Sequence, residues 1–417
     1  MELNKIYVGN NFDILKTFPD NSIDSIVTDP PYGLGKEPNA IEVLQSWITT
    51  GYHEIKGKGF MGKKWDSFVP QPLFWKECYR VLKHGGNLLS FAGTRTYDWV
   101  VMGLRIAGFE IRDQIAWVYG SGFPKSHDIS KAIDKMMGAE REVVGKHQQP
   151  AKSIYTQSKV EMNKDVNITA PSTEEAKQWQ GWGTALKPAL EPIVIARKPL
   201  DGTVAQNVLK YGVGGINIDG CRVETEDIMT PRNNKVGQNG VFNASGGYVE
   251  PSKFGRFPAN FIHDGSEEVV KLFPREAGGF YRPNVIDKSY KNNQNINYGG
   301  GNVSSQYNDS GSAARFFYTA KASQTERNWG VDSKNIHPTV KPIDLMRYLV
   351  RLVTPKNGIC LDPYMGSGTT AIACKAEKIN YVGCELDQDY VEIAEARIKA
   401  EVVMYDIYDF MEETHEK

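Results

Sequence analysis

The sequence predicts an α/β protein built on a doubly wound, mostly parallel sheet that carries a large insertion. Three observations lead there. Both ends of the chain alternate short β-branched runs with amphipathic helical runs, the pattern of strand–helix–strand crossover units. At each end a motif rich in Pro or Gly stands where a strand stops, Asp29-Pro-Pro-Tyr32 in the first half and Asp362-Pro-Tyr-Met-Gly366-Ser-Gly368-Thr-Thr370 in the second. The length, 417 residues with 40 % hydrophobic and 24 % charged side chains, suffices for one such domain plus a second domain or insertion.

Taken in order, Lys5-Ile-Tyr-Val-Gly9 reads as a strand, residues 11–18 as a helix, and residues 22–27 as a second strand running into Asp29. Residues 72–84 place apolar side chains at helical spacing, Gly85-Gly86 is expected to stop that helix, and residues 87–91 resume a buried strand. A helix over 97–107 leads to a strand over 110–119, for which residues 191–197 offer a partner, the two pairing as an antiparallel edge. In the C-terminal part, residues 342–353 read as a helix, 358–362 as a strand, 366–378 as a helix opened by the glycine loop, 380–385 as a strand and 388–400 as a helix. Residues 121–180 and 200–335 differ in character. The second stretch is rich in Gly, Asn, Ser, Tyr and Arg, and its segment 292–311 has too little apolar area to order alone, so it is a solvated loop or one that orders on a partner. No internal repeat is evident.

No apolar run reaches the length of roughly 18 residues needed to cross a bilayer, and the N-terminus lacks a basic stretch followed by an apolar one, so a cytoplasmic protein without membrane contact is expected. Five scattered cysteines, never in a C-x-x-C pair, argue for buried small hydrophobes and against a disulfide framework or a bound metal. The formal net charge of −1 hides an asymmetry: residues 385–417 hold 11 Asp/Glu against 3 Lys/Arg, leaving 46 Lys/Arg against 39 Asp/Glu in residues 1–384. A basic working surface is compatible with that balance.

Glycines in the loop at 366–368 let backbone approach a ligand closely, and Glu385, ending the next strand, is placed to accept hydrogen bonds from ribose hydroxyls, as a nucleoside cofactor requires. Alone, the loop fits a NAD-type site or a structural turn equally well, since Gly366-Ser-Gly368-Thr-Thr-Ala371 satisfies the looser G-x-G-x-x-A fingerprint. The tetrapeptide at 29–32 weighs on that choice. Its prolines stiffen the chain, so that the Asp29 carboxylate and the Pro30 carbonyl form a fixed pair of acceptors beside the aromatic face of Tyr32. Two acceptors and a stacking plate suit an amino-bearing base, although a rigid turn has the same composition.

With both motifs in this order, the chain resembles the amino-methylating DNA methyltransferases of bacteria and phages in the permuted order called the β class. The resemblance covers roughly residues 3–125, 181–200 and 336–400 and includes Tyr7-Val-Gly-Asn10 and His337-Pro-Thr-Val-Lys-Pro342. It implies a circularly permuted, seven-stranded sheet of the class I S-adenosylmethionine-dependent methyltransferases. Residues 1–125 would be the catalytic half, 126–180 an insertion contacting DNA, 181–200 a return strand, 201–335 the target-recognition region, 336–400 the cofactor half and 401–417 an acidic tail.

Carried over residue by residue, the resemblance implies that Asp29 and Pro30, with Pro31, hold the target amine and that Tyr32 stacks on the base. Around S-adenosylmethionine it places Pro363, Tyr364, Gly366, Ser367 and Gly368, with Asp362 and Glu385 as anchors, Asn10 near the adenine, and Thr339 and Lys341 near the methionine end. This chain departs from the family in having Asn10 where Asp is frequent and Tyr364 where Phe is usual.

The expected reaction is methylation of adenine N6 in duplex DNA after base flipping, because Asp rather than Ser stands at position 29; cytosine N4 is the alternative. Methylation at cytosine C5 would need a Pro-Cys dipeptide, and there is none. DNA contacts are expected from Lys253, Arg256, Arg275, Arg282, Lys288, Lys291 and Arg315, interleaved with Phe254, Tyr281, Tyr290 and Tyr298. A homodimer and a cognate restriction endonuclease are the further partners the resemblance brings to mind.

Overall fold

The computed structural model describes residues 1–55, 66–122, 126–148, 165–224, 235–236, 242–243, 255–275, 312–320, 324–331, 335 and 339–400. The chain divides into two compact units, residues 1–119, 191–335 and 340–417 in one, and residues 120–190 with 336–339 in the other. Residues 120–125 and 181–190 thus group with the insertion and not with the sheet that flanks it.

The first unit begins with β1 (Lys5–Val8), α1 (Asn11–Lys16), β2 (Ile23–Thr28), α2 (Ala40–Thr49), α3 (Pro72–Val81), β3 (Leu82–Phe91), α4 (Tyr97–Ala107) and β4 (Glu110–Val118). The second unit holds α5 (Ile129–Met136), an antiparallel pair of β5 (Val143–Gln148) and β6 (Asp165–Thr169), and α6 (Glu174–Gln178). Within it, the buried Asp134 pairs with Arg141 and accepts from the backbone N–H of Ser172 and Thr173. The first unit resumes with β7 (Leu190–Arg197), α7 (Val204–Tyr211), the short pair β8 (Lys235–Val236) and β9 (Phe242–Asn243), then β10 (Phe261–His263), α8 (Glu267–Val270), β11 (Tyr318–Thr319) and α9 (Gln324–Arg327). It closes with α10 (Ile343–Val353), β12 (Ile359–Asp362), α11 (Thr369–Ala376) and β13 (Asn380–Glu385), after which residues 388–400 are helical.

One sheet runs β1-β13-β12-β2-β3-β7-β4-β10-β11. The first seven strands in that row are those the sequence reading anticipated, and the class I methyltransferase fold is borne out. Two short strands, β10 and β11, extend the row to nine. The anticipated antiparallel edge is corrected: β7 lies inside the sheet, antiparallel to β3 and next to β4, whose far side is covered by β10. An edge position would have exposed a strand whose residues 192–196 are all buried. The expected glycine stop is also corrected. Helix α3 ends at Val81, and Gly85-Gly86 lie within β3, where the register against β2 slips between Ile23↔Leu82 and Ser25↔Asn87. Gly85, at φ +77°, supplies the left-handed turn that this bulge needs.

Period-two alternation sorts the central strands onto two faces. Val27, Leu89, Phe91, Ile193 and Ile195 join one apolar cluster with α10 and α11, whereas Ile26, Leu88, Val194 and Ala196 join a second with α3 and α4. All six residues of β2 are buried, as a strand covered on both faces requires. The permuted halves are joined by parallel pairing of β12 with β2 and of β1 with β13. As a result four adjacent parallel strands, β1, β13, β12 and β2, stop side by side at Asn10, Glu385, Asp362 and Asp29. Connections leave this point in opposite directions, towards β13 on one side and β3 on the other, which is the switch point where open α/β sheets hold ligands.

Candidate active site

Asp29 follows the last residue of β2, its side chain 19 % exposed. Lys341 Nζ donates to its Oδ2 at 2.7 Å, while Oδ1 is buried and accepts no hydrogen bond from the described residues. A buried acceptor without a donor costs about 1–3 kcal/mol, so this atom is held ready for a group that brings hydrogens. Two residues on, the Tyr32 hydroxyl donates to Glu191 Oε2 at 3.0 Å and accepts from Lys341 at 3.1 Å, and Thr96 Oγ1 donates to its carbonyl at 2.6 Å. Burial, then the charges of Asp29 and Glu191, push the Tyr32 phenol well above its ordinary range, so it stays a neutral donor. Pro30 is buried and Pro31 half-buried, closing the turn.

The glycine loop follows β12. Gly366 and Gly368 sit at φ +53° and +83°, and a Cβ on Gly368 would come within 2.8 Å of Ala394. Only glycine fits there without moving the helix behind the loop. Glu385 Oε2 accepts from Gly366 N–H at 2.8 Å, and its Oε1 from the N–H groups of Leu386 and Asp387 at 2.8 and 3.0 Å. Burial raises the Glu385 pKa above the usual carboxylate value. Asn10 is exposed and caps α1, accepting from Phe12 and Asp13 N–H, and Asn11 Nδ2 donates to Pro363 O at 2.9 Å. The Tyr364 ring lies 5.3 Å from that of Phe74, part of the apolar wall.

Three of the residues expected around the cofactor have placements that the motifs do not foretell. Asp362 is 2 % exposed and spends both oxygens on the chain, accepting from Thr28 Oγ1 at 2.7 Å, Thr370 Oγ1 at 2.5 Å and Tyr364 N–H at 3.0 Å. It thereby ties the glycine loop to β2 and α11 from beneath. Lys341, expected near the methionine end of the cofactor, lies on Asp29, the residue expected to hold the amine that takes the methyl, and within 3.2 Å of Glu191 Oε2. Thr339 is exposed and belongs to the second unit.

Two residues escaped the sequence reading. Glu191, at the start of β7, accepts from Tyr32 and, at 3.2 Å, from the Tyr119 hydroxyl. A carboxylate immediately before the apolar run Pro-Ile-Val-Ile-Ala was the available signal. Arg397, fully buried, donates to the carbonyl and hydroxyl of Ser367 and to Thr369 Oγ1. Its sign was a cation on the same helical face as Tyr390 and Ala394.

Of the expected DNA contacts, Lys253, Arg282, Lys288 and Lys291, with Phe254, Tyr281, Tyr290 and Tyr298, lie outside the described residues, as do segment 292–311 and the acidic tail. Arg256 and Arg315 both pack on the Phe316 ring, 3.9 and 4.6 Å from its centroid, and Arg275 is exposed. All five cysteines are free and buried, and among the described residues no cluster of His, Cys, Asp or Glu could hold a metal. No described helix is long and apolar enough to cross a membrane.

Comparison with known proteins places this geometry in a family. The model for N6_N4_Mtase, described as DNA methylase, matches residues 23–396. The Type II methyltransferase M.HindIII of Haemophilus influenzae is 23 % identical over 416 residues, 95 % of either chain. M.HpaI of Haemophilus parainfluenzae is 33 % identical over 134 residues, covering 32 % of this chain and 37 % of its own. Among solved structures, M1.HpyAVI in its crystal structure is 14 % identical with a TM-score of 0.38, covering 94 % of this chain and 98 % of its own. PvuII DNA methyltransferase (cytosine-N4-specific) is 13 % identical with a TM-score of 0.43, covering 97 % and 91 %. With the family model spanning nearly the whole sheet and both strand-end motifs, this chain belongs to the DNA methylase family.

Proposed function

We propose that the protein methylates the N6 amine of adenine in duplex DNA, and that Oδ1 of Asp29, buried and without a hydrogen-bond partner among the described residues, is the atom that receives the amine. The methyl donor is S-adenosylmethionine, which supplies an electrophilic methyl group on a sulfonium. The groups at the strand ends suit it: Asn10 and Glu385 are polar groups at the ends of neighbouring strands, Gly366 and Gly368 leave room for close approach, and Tyr364 contributes a ring. Asp362, Pro363 and Ser367 shape the loop from below.

An exocyclic amine is a weak nucleophile because its lone pair is delocalised into the ring. With Asp29 Oδ1 accepting one hydrogen and the Pro30 carbonyl the other, the nitrogen is drawn towards a tetrahedral state with its lone pair directed at the methyl group. Tyr32 stacks on the base, which must leave the duplex at a cost of about a few kcal/mol. Adenine is favoured over cytosine by Asp at position 29, a tendency of the family. Duplex DNA, a homodimer and a partner endonuclease belong to this proposal.

Incubation with unmethylated duplex DNA and methyl-labelled S-adenosylmethionine, followed by nucleoside mass analysis, tests it. Labelled N6-methyladenine supports the reading, label only in N4-methylcytosine replaces adenine by cytosine, and label in RNA but not in duplex DNA overturns it.

A further inference from the structure

Lys341 bridges two carboxylates, 2.7 Å from Asp29 Oδ2 and 3.2 Å from Glu191 Oε2. It is 8 % exposed, and its ammonium also faces the rings of Phe91 and Tyr32 at 4.8 and 5.3 Å. Burial opposes its charge, but Asp29 and Glu191 outweigh burial and hold its pKa above that of an ordinary lysine. Glu191 in turn accepts from the Tyr32 and Tyr119 hydroxyls. Asp29, Lys341, Tyr32, Glu191 and Tyr119 are thereby joined in one chain of polar contacts. Two carboxylates and one ammonium also leave an excess of one negative charge.

We infer that Glu191 and Lys341 are a positioning pair for methyl transfer: Lys341, on Asp29 Oδ2, fixes the rotation of the carboxylate that receives the base amine, and Glu191 holds both Lys341 and the Tyr32 hydroxyl. The inference rests on the reading of Asp29 as the amine acceptor. As the amine lone pair forms the new N–C bond and the sulfonium C–S bond breaks, positive charge passes to the nitrogen, which then gives one proton to Asp29 Oδ1. The excess negative charge of the cluster faces that cation as it forms.

The test compares kcat and the donor KM of the full-length wild type with Glu191→Gln, Lys341→Met, Lys341→Arg and Asp29→Ala on duplex DNA, with thermal melting of each donor-free protein. Glu191→Gln and Lys341→Met are expected to lower kcat by about 100-fold while leaving the donor KM within about threefold. Lys341→Arg should restore part of the rate. Donor-free Lys341→Met should melt lower than wild type, and adding Glu191→Gln should recover part of the loss by removing one of two facing carboxylates. If Lys341→Met does not fold, the isosteric Glu191→Gln decides. Wild-type kcat in both variants, or a raised donor KM at unchanged kcat, overturns the pair, the latter placing Lys341 at the donor. Full activity in Asp29→Ala would instead sink the reading of the site on which the pair depends.

Discussion

Asp29 and Asp362 hold nearly equivalent places. Each closes a parallel strand, the two strands are neighbours paired at Cys360↔Ser25 and Leu361↔Ile26, and each aspartate is followed by proline. Their surroundings divide them. Asp362 has both oxygens filled by Thr28, Thr370 and the Tyr364 amide, and burial pushes its pKa up to about 6. Asp29 keeps one oxygen on Lys341, and the other has no donor among the described residues. An Asp-Pro at a strand end marks the place of a site; the neighbours decide whether the carboxylate works on a ligand or on the protein.

The largest expected effect falls on Asp29. Asp29→Ala should lower methyl transfer by about three orders of magnitude or more while equilibrium binding of S-adenosylmethionine persists. If labelled nucleoside appears at the wild-type rate, the contrast between the two aspartates disappears. Asp362→Ala should act on stability: three donors lose their acceptor, at about 2–3 kcal/mol measured by denaturant unfolding. A wild-type midpoint would show that Asp362 does not brace the loop.

The same residue sharpens the comparison through pH. A buried acid whose pKa rises from 3.8 to about 6 on folding binds a proton in the native state where the unfolded chain has lost it. Stability should therefore fall by about 3 kcal/mol as pH rises through the interval from 4 to 6, then level off. Asp362→Asn should flatten that slope, and identical profiles for variant and wild type would refute the assignment. Gly368→Ala should cost about 1–2 kcal/mol, from its left-handed backbone and the approach to Ala394, and weaken donor binding in titration calorimetry. Unchanged affinity would separate the loop's shape from cofactor binding. Smallest is Arg275→Ala, expected to reduce the salt slope of DNA binding by about 0.9 if this exposed side chain meets one phosphate. Arg315→Ala, on the Phe316 ring, should change the slope less.

The central strands were legible because strands covered on both faces read as short apolar runs, as in Ile-Val at 26–27, Leu-Leu at 88–89 and Ile-Cys-Leu at 359–361. Helix ends were less so. The apolar period of α3 continues to Leu82, where backbone pairing with Ile23 already imposes a strand. Strands β10 and β11, three and two residues long, carry no periodicity of their own and exist because β4 offers an open edge.

The sequence by itself determined the two strand-end motifs, their order and the family, since these depend on residue types at fixed local spacing. Only the tertiary structure decided what each carboxylate does. Lys341 meets Asp29 across 312 residues, Glu191 meets Tyr32 across 159, and Thr28 meets Asp362 across 334. Such contacts arise when β12 pairs with β2 and β7 enters the sheet beside β3, and no local pattern encodes them. A carboxylate's charge state and availability follow from the donors and the burial it finds there, which are properties of packing and not of the motif.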